Sequence, residues 1–238
     1  GVFSRPSGNH IPDFTGVTEI GSYALYGQFE SRTDISGGIN ANSVQSVRAY
    51  AFRYFGNNSS FNGAVDFSSV TSLGYRSFGD SFDGSNITSI DFGSLEEVVA
   101  IDYGESGGQS AVFYGAFQYI SNCTSINFSK LRKLRSSNFC YYAFAESRCT
   151  EIRFDSLDTI DTTVAGNYPF AGSFTRGSGS SATLTDIYFP ALRYLLGADN
   201  SHFADFAPGL DVTVHFPSNM QTTIEAGGWT QSGFVKAY

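Results

Sequence analysis

One short motif in the sequence could supply a catalytic nucleophile. Gly104-Glu-Ser106-Gly-Gly108 matches the G-x-S-x-G pattern, in which a serine on a sharp strand-to-helix turn attacks an ester. Such a hydrolase also needs an acid and a histidine later in the chain, and His202 and His215 do follow. However, no alternation of strands and helices surrounds the motif, and the chain is rich in glycine and serine. We therefore predict that the protein is not an enzyme, and keep hydrolysis through Ser106 as an alternative.

The histidines and cysteines are scattered along the chain and do not show the spacing of metal ligands. They are His10, His202, His215, Cys123, Cys140 and Cys149. Cys123 and Cys149 occupy the same local pattern 26 residues apart. Their apolar surroundings favour buried thiols over a disulfide. We expect neither a metal nor a cofactor.

The charge of the chain argues against nucleic-acid binding. Among 238 residues, 14 are basic and 22 acidic, giving a net charge of −8, whereas nucleic-acid binding depends on a basic surface. Four basic residues form a run that could attract an acidic partner or could be a solvated turn. They are Lys130, Arg132, Lys133 and Arg135. No apolar run is long enough to span a bilayer, so we expect no transmembrane segment.

A repeated phrase organises the rest of the sequence. The fragment Ile90-Asp-Phe92-Gly-Ser-Leu95 recurs in three close copies and four weaker ones. Most of the residues at its phenylalanine position are 25–27 residues apart, and the two longer intervals each contain a Gly/Ser-rich insertion. These residues are Phe14, Ala41, Phe67, Phe92, Phe128, Phe154, Phe189 and Phe216. Insertions that leave the next unit intact are typical of stacked repeats.

Each repeat has the pattern of a short strand and a second wall. Ile and Phe alternate with polar residues, which predicts a strand of about five residues with both apolar side chains inward. Leu95 and Val98 are expected to face inward from the next wall. One aromatic block in each repeat should fill the interior at an equivalent position, as in Tyr50-Ala-Phe52, Tyr75-Arg-Ser-Phe78, Gly115-Ala-Phe117 and Tyr142-Ala-Phe144. No unit can bury its apolar face alone. We therefore predict a solenoid of about eight coils with parallel strands, an irregular or short-helical convex side and little helix.

The combined pattern resembles the BspA-type, or Treponema-type, leucine-rich repeat family. The resemblance rests on Tyr142-Ala-Phe144, on Cys149-Thr-Glu-Ile-Arg-Phe-Asp-Ser-Leu157, and on strand motifs that end in proline at Phe189-Pro190 and Phe216-Pro217. It covers about residues 12–217, although Phe and Ile largely replace leucine. It implies a right-handed solenoid in a bacterial secreted or cell-surface protein. It also implies adhesion or protein binding, with a protein or glycan on host or neighbouring cells as the partner.

We expect one domain. Residues 1–217 form the predicted solenoid, with 1–11 as a lead-in, and residues 218–238 are predicted to cap its last coil. Ser218 is the predicted N-cap of a short helix that ends at Gly227. We expect a monomer, located outside the cell or on its surface, with no leader or anchor within the printed sequence.

The exposed face of the predicted sheet is the candidate binding surface. The residue between Ile and Phe points outward in each coil, so successive copies form a ladder along the sheet. The members of this sheet-face ladder are Asp66, Asp91, Asn127, Arg153, Tyr188 and His215, preceded by Asp13 and Asn40. Tyrosine and arginine are enriched at binding hot spots. Polar residues are also needed there simply because the face is solvated, so a structural spacer is the other alternative.

Overall fold

The computed structural model consists of short parallel strands joined by turns, with very little helix. It covers residues 11–99, 112–120, 122–135, 139–144, 149–163, 169–170, 172–174, 183–197, 202–203, 211–227 and 234–238. Ser106, His10 and the Gly104–Gly108 motif lie outside these residues. Within the described part there are fifteen strands in three sheets and one short α-helix, and every strand pairing is parallel. The predicted parallel strands and low helix content are confirmed.

All strands but the last alternate along the chain between two walls. The main sheet has eight strands: β2 (Ile39–Asn40), β4 (Ala64–Asp66), β6 (Ser89–Asp91), β8 (Ser125–Asn127), β10 (Glu151–Arg153), β12 (Asp186–Tyr188), β14 (Val212–His215) and β15 (Phe234–Ala237). The second wall consists of two sheets. One contains β1 (Glu19–Ile20), β3 (Ser46–Val47) and β5 (Ser72–Leu73), and the other β7 (Glu97–Val99), β9 (Lys133–Arg135), β11 (Thr159–Asp161) and β13 (Tyr194–Leu196). In the main sheet, each strand pairs with the equivalent strand of the neighbouring repeat.

The strands are shorter than predicted, and the first motif forms none. They are two to four residues long rather than about five. Seven of the eight motifs form a strand, whereas residues 11–18 contain none. Pro12 lacks the backbone N–H that a strand would donate to its neighbour, which accounts for the difference. Phe14 is nevertheless buried, so the first motif still contributes its side chain to the core.

The repeated phenylalanines form one continuous buried column, as the spacing predicts. From Phe67 to Phe216 the rings of successive repeats stack with centroids 5.1–6.0 Å apart and interplanar angles of 5–11°. Each is at most 4% exposed. The isoleucine or valine two residues earlier is also buried at every strand of the motif, and the residue between the two points outward. The predicted inward alternation is therefore confirmed.

The aromatic blocks form two further columns, where the sequence pattern suggested one. Phe52 stacks on Phe78 at 5.0 Å, and Phe113 continues that column. Phe82, Phe117 and Phe144 form the other, with centroid distances of 5.6 and 5.8 Å. The predicted alignment of Phe117 and Phe144 with Phe52 and Phe78 is therefore wrong. Aromatic residues recur about every four positions in these segments. Two repeats can therefore be aligned four residues out of register and still show an aromatic residue at the same position.

The connection after the second wall is a succession of turns rather than helix. Alternate N–H groups bond to the next repeat: those of Tyr23, Leu25 and Gly27 donate to the carbonyls of Ala49, Ala51 and Arg53. The N–H groups between them donate to the residue three positions earlier. This geometry places residues with left-handed φ at equivalent positions of successive repeats, including Gly27 (64°), Tyr54 (58°) and Asp80 (53°). Inter-repeat hydrogen bonds thus hold the backbone of residues such as Tyr54 in a conformation that ordinarily costs about 1–2 kcal/mol.

At one of these left-handed positions, glycine should give a measurably higher free energy of unfolding than alanine. A Cβ on Gly27 would meet no atom within 4 Å, so its φ of +64° is the only obstacle. We expect Gly27→Ala to lower the free energy of unfolding by about 1 kcal/mol. Gly21 also has open space around it but lacks the left-handed φ, so Gly21→Ala should be neutral or slightly stabilising. Urea unfolding of the two variants checks this, and equal effects would contradict the left-handed turn.

The chain ends in a short helix and an additional strand. A single 3₁₀ turn at Ser218–Met220 leads into α1 (Gln221–Ala226), which ends at Gly227 as predicted. The predicted N-cap is wrong, because Pro217 occupies that position at the 3₁₀ turn and no side chain caps it. Met220 and Ile224 bury their side chains. β15, which the sequence analysis did not identify, then adds to the edge of the main sheet beside β14.

Candidate binding site

The structure brings the predicted sheet-face ladder together in register. Asp66 pairs with Asp91, Asp91 with Asn127, and Asn127 with Arg153, across three strand boundaries. Arg153 then pairs with Tyr188, and Tyr188 with His215. Register is kept across the 36-residue and 35-residue intervals. All six side chains are at least partly exposed.

The Asp and Asn members of the ladder have a local structural role. In each, the side-chain Oδ1 accepts a hydrogen bond from the backbone N–H two residues later, at 2.7–3.4 Å. They are Asp13, Asn40, Asp66, Asp91 and Asn127. This Asx turn starts the bend that carries the chain from the main sheet into the second wall. The Asp and Asn members of the predicted binding ladder thus already form hydrogen bonds with the backbone of the protein itself.

The stacked aspartates accept hydrogen bonds from the protein itself. Asp91 Oδ1 accepts hydrogen bonds from the Gly93 N–H at 2.7 Å and from the Asn127 Nδ2 at 2.9 Å. Asp66 Oδ1 accepts one from the Ser68 N–H at 2.9 Å. Within the described residues, no group of three or more His, Cys, Asp or Glu side chains could hold a metal ion. Hydrogen bonds to these carboxylates offset the repulsion between neighbouring like charges.

The ladder changes character at its last three members. Arg153, Tyr188 and His215 replace the turn-forming Asp or Asn, and their side chains stack on one another. The Arg153 guanidinium carbon lies 4.4 Å from the centroid of the Tyr188 ring. The centroids of the Tyr188 and His215 rings are 4.2 Å apart, and the two ring planes are nearly parallel, with an interplanar angle of 9°. We call these three residues the Arg153 stack.

Flanking carboxylates hold both ends of the Arg153 stack. The Arg153 Nε donates to Asp155 Oδ1 at 3.0 Å. At the other end, His215 Nε2 lies 2.7 Å from Asp186 Oδ1, and the Thr185 hydroxyl donates to Asp186 Oδ2 at 2.8 Å. The hydrogen bond from His215, followed by that from Thr185, lowers the pKa of Asp186 below its ordinary value. The stack is therefore a preorganised surface of an arginine, a phenol and an imidazole, with carboxylates at its margin.

The basic run lies on the second wall and is partly paired within the protein. Lys133 Nζ lies 3.7 Å from Glu97 Oε1, and Arg135 Nε lies 3.0 Å from Asp161 Oδ2. A shallow depression of about 280 Å³ here is lined by Glu96, Glu97, Arg132, Lys133 and Asp158. Its lining is entirely charged, whereas small-molecule sites are mostly apolar. These contacts favour a solvated, self-neutralised surface over a ligand pocket.

The two later histidines of the hydrolase alternative lie in different surroundings. His202 is 2% exposed, and its Nε2 lies 3.0 Å from the Leu196 carbonyl oxygen, in a structural position. His215 belongs to the Arg153 stack. The three cysteines are buried, as predicted. The Ser106 motif lies outside the described residues, so its geometry stays a prediction.

A second exposed aromatic surface was missed by the sequence analysis. Tyrosine rings and two arginines contact one another across five repeats on the wall of turns: Tyr23, Tyr26, Tyr50, Arg53, Tyr54, Tyr75, Arg76, Tyr114, Tyr141 and Tyr142. Arg53 lies 4.7 Å from the Tyr54 ring centroid, and Arg76 lies 4.7 Å from that of Tyr114. The signal was the tyrosine that opens several aromatic blocks. We call this surface the tyrosine strip.

Two half-buried carboxyl groups beside the tyrosine strip make stability depend on pH. Burial, followed by the charge of nearby Asp80, raises the pKa of Asp83 to about 6. The folded protein then binds the Asp83 proton more tightly than the unfolded chain does. Stability from this group therefore rises as the pH falls from 7 to 5. We expect Asp83→Asn to stabilise the protein by roughly 1 kcal/mol at pH 7, after allowance for solvent screening, and by about half as much at pH 5.

Urea unfolding of the wild type and Asp83→Asn at both pH values measures this difference. The comparison cancels the contributions of the other titrating groups, including Asp80, whose pKa burial also raises. A constant difference between the two proteins at pH 7 and pH 5 would contradict the raised pKa of Asp83.

Comparison with known proteins leaves the function to be inferred from the chain itself. No protein-family model matches the sequence, and no curated protein or solved structure is detectably similar to it. Within the described residues, no helix has the length and apolar character needed to cross a membrane.

Proposed function

We propose that the protein is a non-catalytic binding module whose partner meets the exposed face of the main sheet at the Arg153 stack. One observation carries the proposal. Three consecutive ladder positions carry Arg153, Tyr188 and His215 instead of the turn-forming Asp or Asn, and these side chains stack on one another at 4.2–4.4 Å. Arg, Tyr and His are not needed for the turn itself, since Asp or Asn supplies that hydrogen bond at the five earlier positions. Recognition of a partner would account for these three residues, which the turn does not require.

The geometry of the Arg153 stack suits recognition energetically. Tyrosine and arginine supply large contact areas and are the residue types that dominate binding energies at interfaces. Stacking on both faces of the Tyr188 ring limits its rotamers before any partner arrives. Less conformational entropy is then lost on binding. Asp155 and Asp186 orient the two ends of the stack and leave its outer edge to the partner.

We further propose a wider context for this module. The in-register parallel strands and the buried phenylalanine column support a solenoid of leucine-rich repeats of the BspA type. That resemblance suggests a bacterial secreted or cell-surface protein, with a protein or glycan on host or neighbouring cells as the partner. It supports adhesion rather than catalysis, and a monomeric module rather than an assembly.

A binding screen followed by a triple variant tests the proposal. The wild-type protein is screened against immobilised extracellular proteins and glycans, and dissociation constants are measured for each hit. The variant Arg153→Ala/Tyr188→Ala/His215→Ala should bind at least about tenfold more weakly, because hot-spot truncations cost 2 kcal/mol or more.

The matched control is Asn40→Ala, at the same ladder position four repeats from Arg153. It should bind like the wild type. Circular dichroism and thermal unfolding establish that both variants are folded. Unchanged binding of the triple variant to every hit would refute the Arg153 stack as the site, and a screen without any hit would favour the spacer.

A further inference from the structure

Two cysteines of neighbouring repeats lie side by side in the core. Cys123 and Cys149 are 26 residues apart and both are 0% exposed. The Cys149 Sγ donates a weak hydrogen bond to the Cys123 carbonyl oxygen at 3.5 Å. The Cys123 Sγ in turn lies 3.5 Å from the carbonyl oxygen of Ser125. These contacts bring the two side chains together at the entry to β8 and β10.

The repeat geometry matches the requirements of a disulfide. Cys123 and Cys149 each stand two residues before a main-sheet strand, where Ile87 and Leu184 stand in the flanking repeats. Neighbouring parallel strands are about 4.8 Å apart. Disulfides join residues whose Cα atoms are about 4.4–6.8 Å apart. A disulfide also needs its Cβ atoms about 3.5–4.5 Å apart, so a bridge between adjacent repeats draws the two cysteines slightly together.

The two thiols also interact directly. A hydrogen bond between the side chains of Cys149 and Cys123, followed by burial, raises the pKa of the Cys123 thiol above its ordinary value. Burial likewise raises the pKa of the Cys140 thiol. Thiolate is the species that attacks a disulfide, so both sites react slowly once the core has closed. Oxidation is therefore favoured while the chain folds, before the repeats bury the sulfurs.

We infer that Cys123 and Cys149 form an inter-repeat disulfide when the chain folds in the presence of a small-molecule disulfide such as glutathione disulfide. In the first step one thiolate attacks glutathione disulfide and releases one glutathione. In the second, the other thiolate attacks this mixed disulfide and releases a second glutathione. The two cysteines lose two protons and two electrons, and glutathione disulfide is reduced to two glutathione molecules. This inference does not depend on the identity of the binding partner, although the extracellular location proposed above would supply such oxidising conditions.

Cys140 provides an internal control. Its backbone lies on the wall of turns, where its carbonyl oxygen accepts a hydrogen bond from the Ser173 hydroxyl at 2.7 Å. It follows Phe139 in the aromatic interior, away from the start of the strands. We therefore expect Cys140 to stay a thiol while the other two are oxidised.

Oxidative refolding tests the inference. The reduced, denatured chain is refolded with glutathione and glutathione disulfide, and the folded fraction is isolated. It is then denatured, alkylated and analysed by intact mass and peptide mapping. The expected result is one alkylated residue, Cys140, and one cross-linked peptide pair joining Cys123 to Cys149. Three alkylated cysteines, a stable glutathione adduct, or a bridge that includes Cys140 would overturn the inference.

Two variants sharpen the result. Cys140→Ala should still form the bridge, whereas Cys149→Ala should leave Cys123 as a thiol. Because a bridge restricts the unfolded chain, dithiothreitol should lower the urea midpoint of the oxidised wild type and leave that of Cys149→Ala unchanged. Equal midpoints for the oxidised and reduced wild type would contradict a disulfide that fits the native fold.

Discussion

Replacing Phe128 by alanine should destabilise the protein by about 3–5 kcal/mol. The Phe128 ring is 1% exposed and stacks between Phe92 and Phe154, at centroid distances of 5.7 and 6.0 Å. It also meets the edges of Phe113 and Phe139 at 5.7 and 5.8 Å. Truncation removes these ring contacts and leaves a cavity in the middle of the column. Equilibrium urea unfolding, with the slope of the transition compared between proteins, measures the loss.

The neighbouring residue provides the control. Asn127 faces outward, and its side chain bonds the Ser129 N–H and the Asp91 carboxylate. Asn127→Ala should cost about 1 kcal/mol, the value of a partly exposed hydrogen bond. Similar losses for Phe128→Ala and Asn127→Ala would mean that the inward and outward faces of β8 have been misassigned.

Replacing Gly38 by alanine should destabilise the protein by about 3 kcal/mol or more, at the upper end of overpacking effects. A Cβ on Gly38 would overlap the Ala64 carbonyl group, with the Ala64 N and C atoms at 2.6 and 2.8 Å. The close approach is mutual, because a Cβ on Gly63 of the same neighbouring repeat would lie 2.8 Å from the Gly38 Cα. Both obstacles are backbone of a neighbouring repeat, so no side chain can rotate away. The two repeats would have to separate just before β2 and β4.

Thermal and urea unfolding of Gly38→Ala measure this cost. Ser36→Ala, two residues earlier and exposed, should fall within about 0.5 kcal/mol of the wild type. If Gly38→Ala fails to fold, limited proteolysis of the cell extract should show rapid cleavage of this variant beside intact Ser36→Ala. A fully stable Gly38→Ala would contradict the close approach of the two repeats.

The core was predictable from the sequence because its signal is periodic at two scales. Alternation identified Ile90 and Phe92 as inward residues, and the interval of 25–27 residues aligned Phe92 with Phe67 and Phe154 with Phe128. The insertions did not disturb the prediction, since Asp91 and Asn127 pair in register across one of them. These features depend on burial of apolar side chains, which a sequence displays directly.

The wall of turns was not predictable in the same way. Tyr50 and Tyr54 adopt left-handed φ values that tyrosine disfavours, because hydrogen bonds to the next repeat outweigh that preference. The alignment of Phe117 failed for a related reason, since only those inter-repeat bonds fix the register of the turns. Main-chain contacts between repeats leave little trace in side-chain patterns.

The candidate site was predicted in part. The sequence placed Arg153, Tyr188 and His215 on one ladder, and the structure shows that they stack. The preference of Asp and Asn for turns that bond the N–H two residues later would have identified the role of Asp66 and its equivalents. That signal was present in five of the eight ladder positions, but the ladder was interpreted as a uniform surface. The functional interpretation depends on this distinction.

One paired binding measurement tests the proposed site most directly. Tyr188→Ala removes the centre of the Arg153 stack, whereas Tyr142→Ala removes a ring that is 41% exposed on the tyrosine strip. For the partner captured in the screen, we predict a dissociation constant at least about tenfold higher for Tyr188→Ala and within about twofold of the wild type for Tyr142→Ala. The reverse order, with Tyr142→Ala weakened and Tyr188→Ala unchanged, would contradict the main sheet as the binding face.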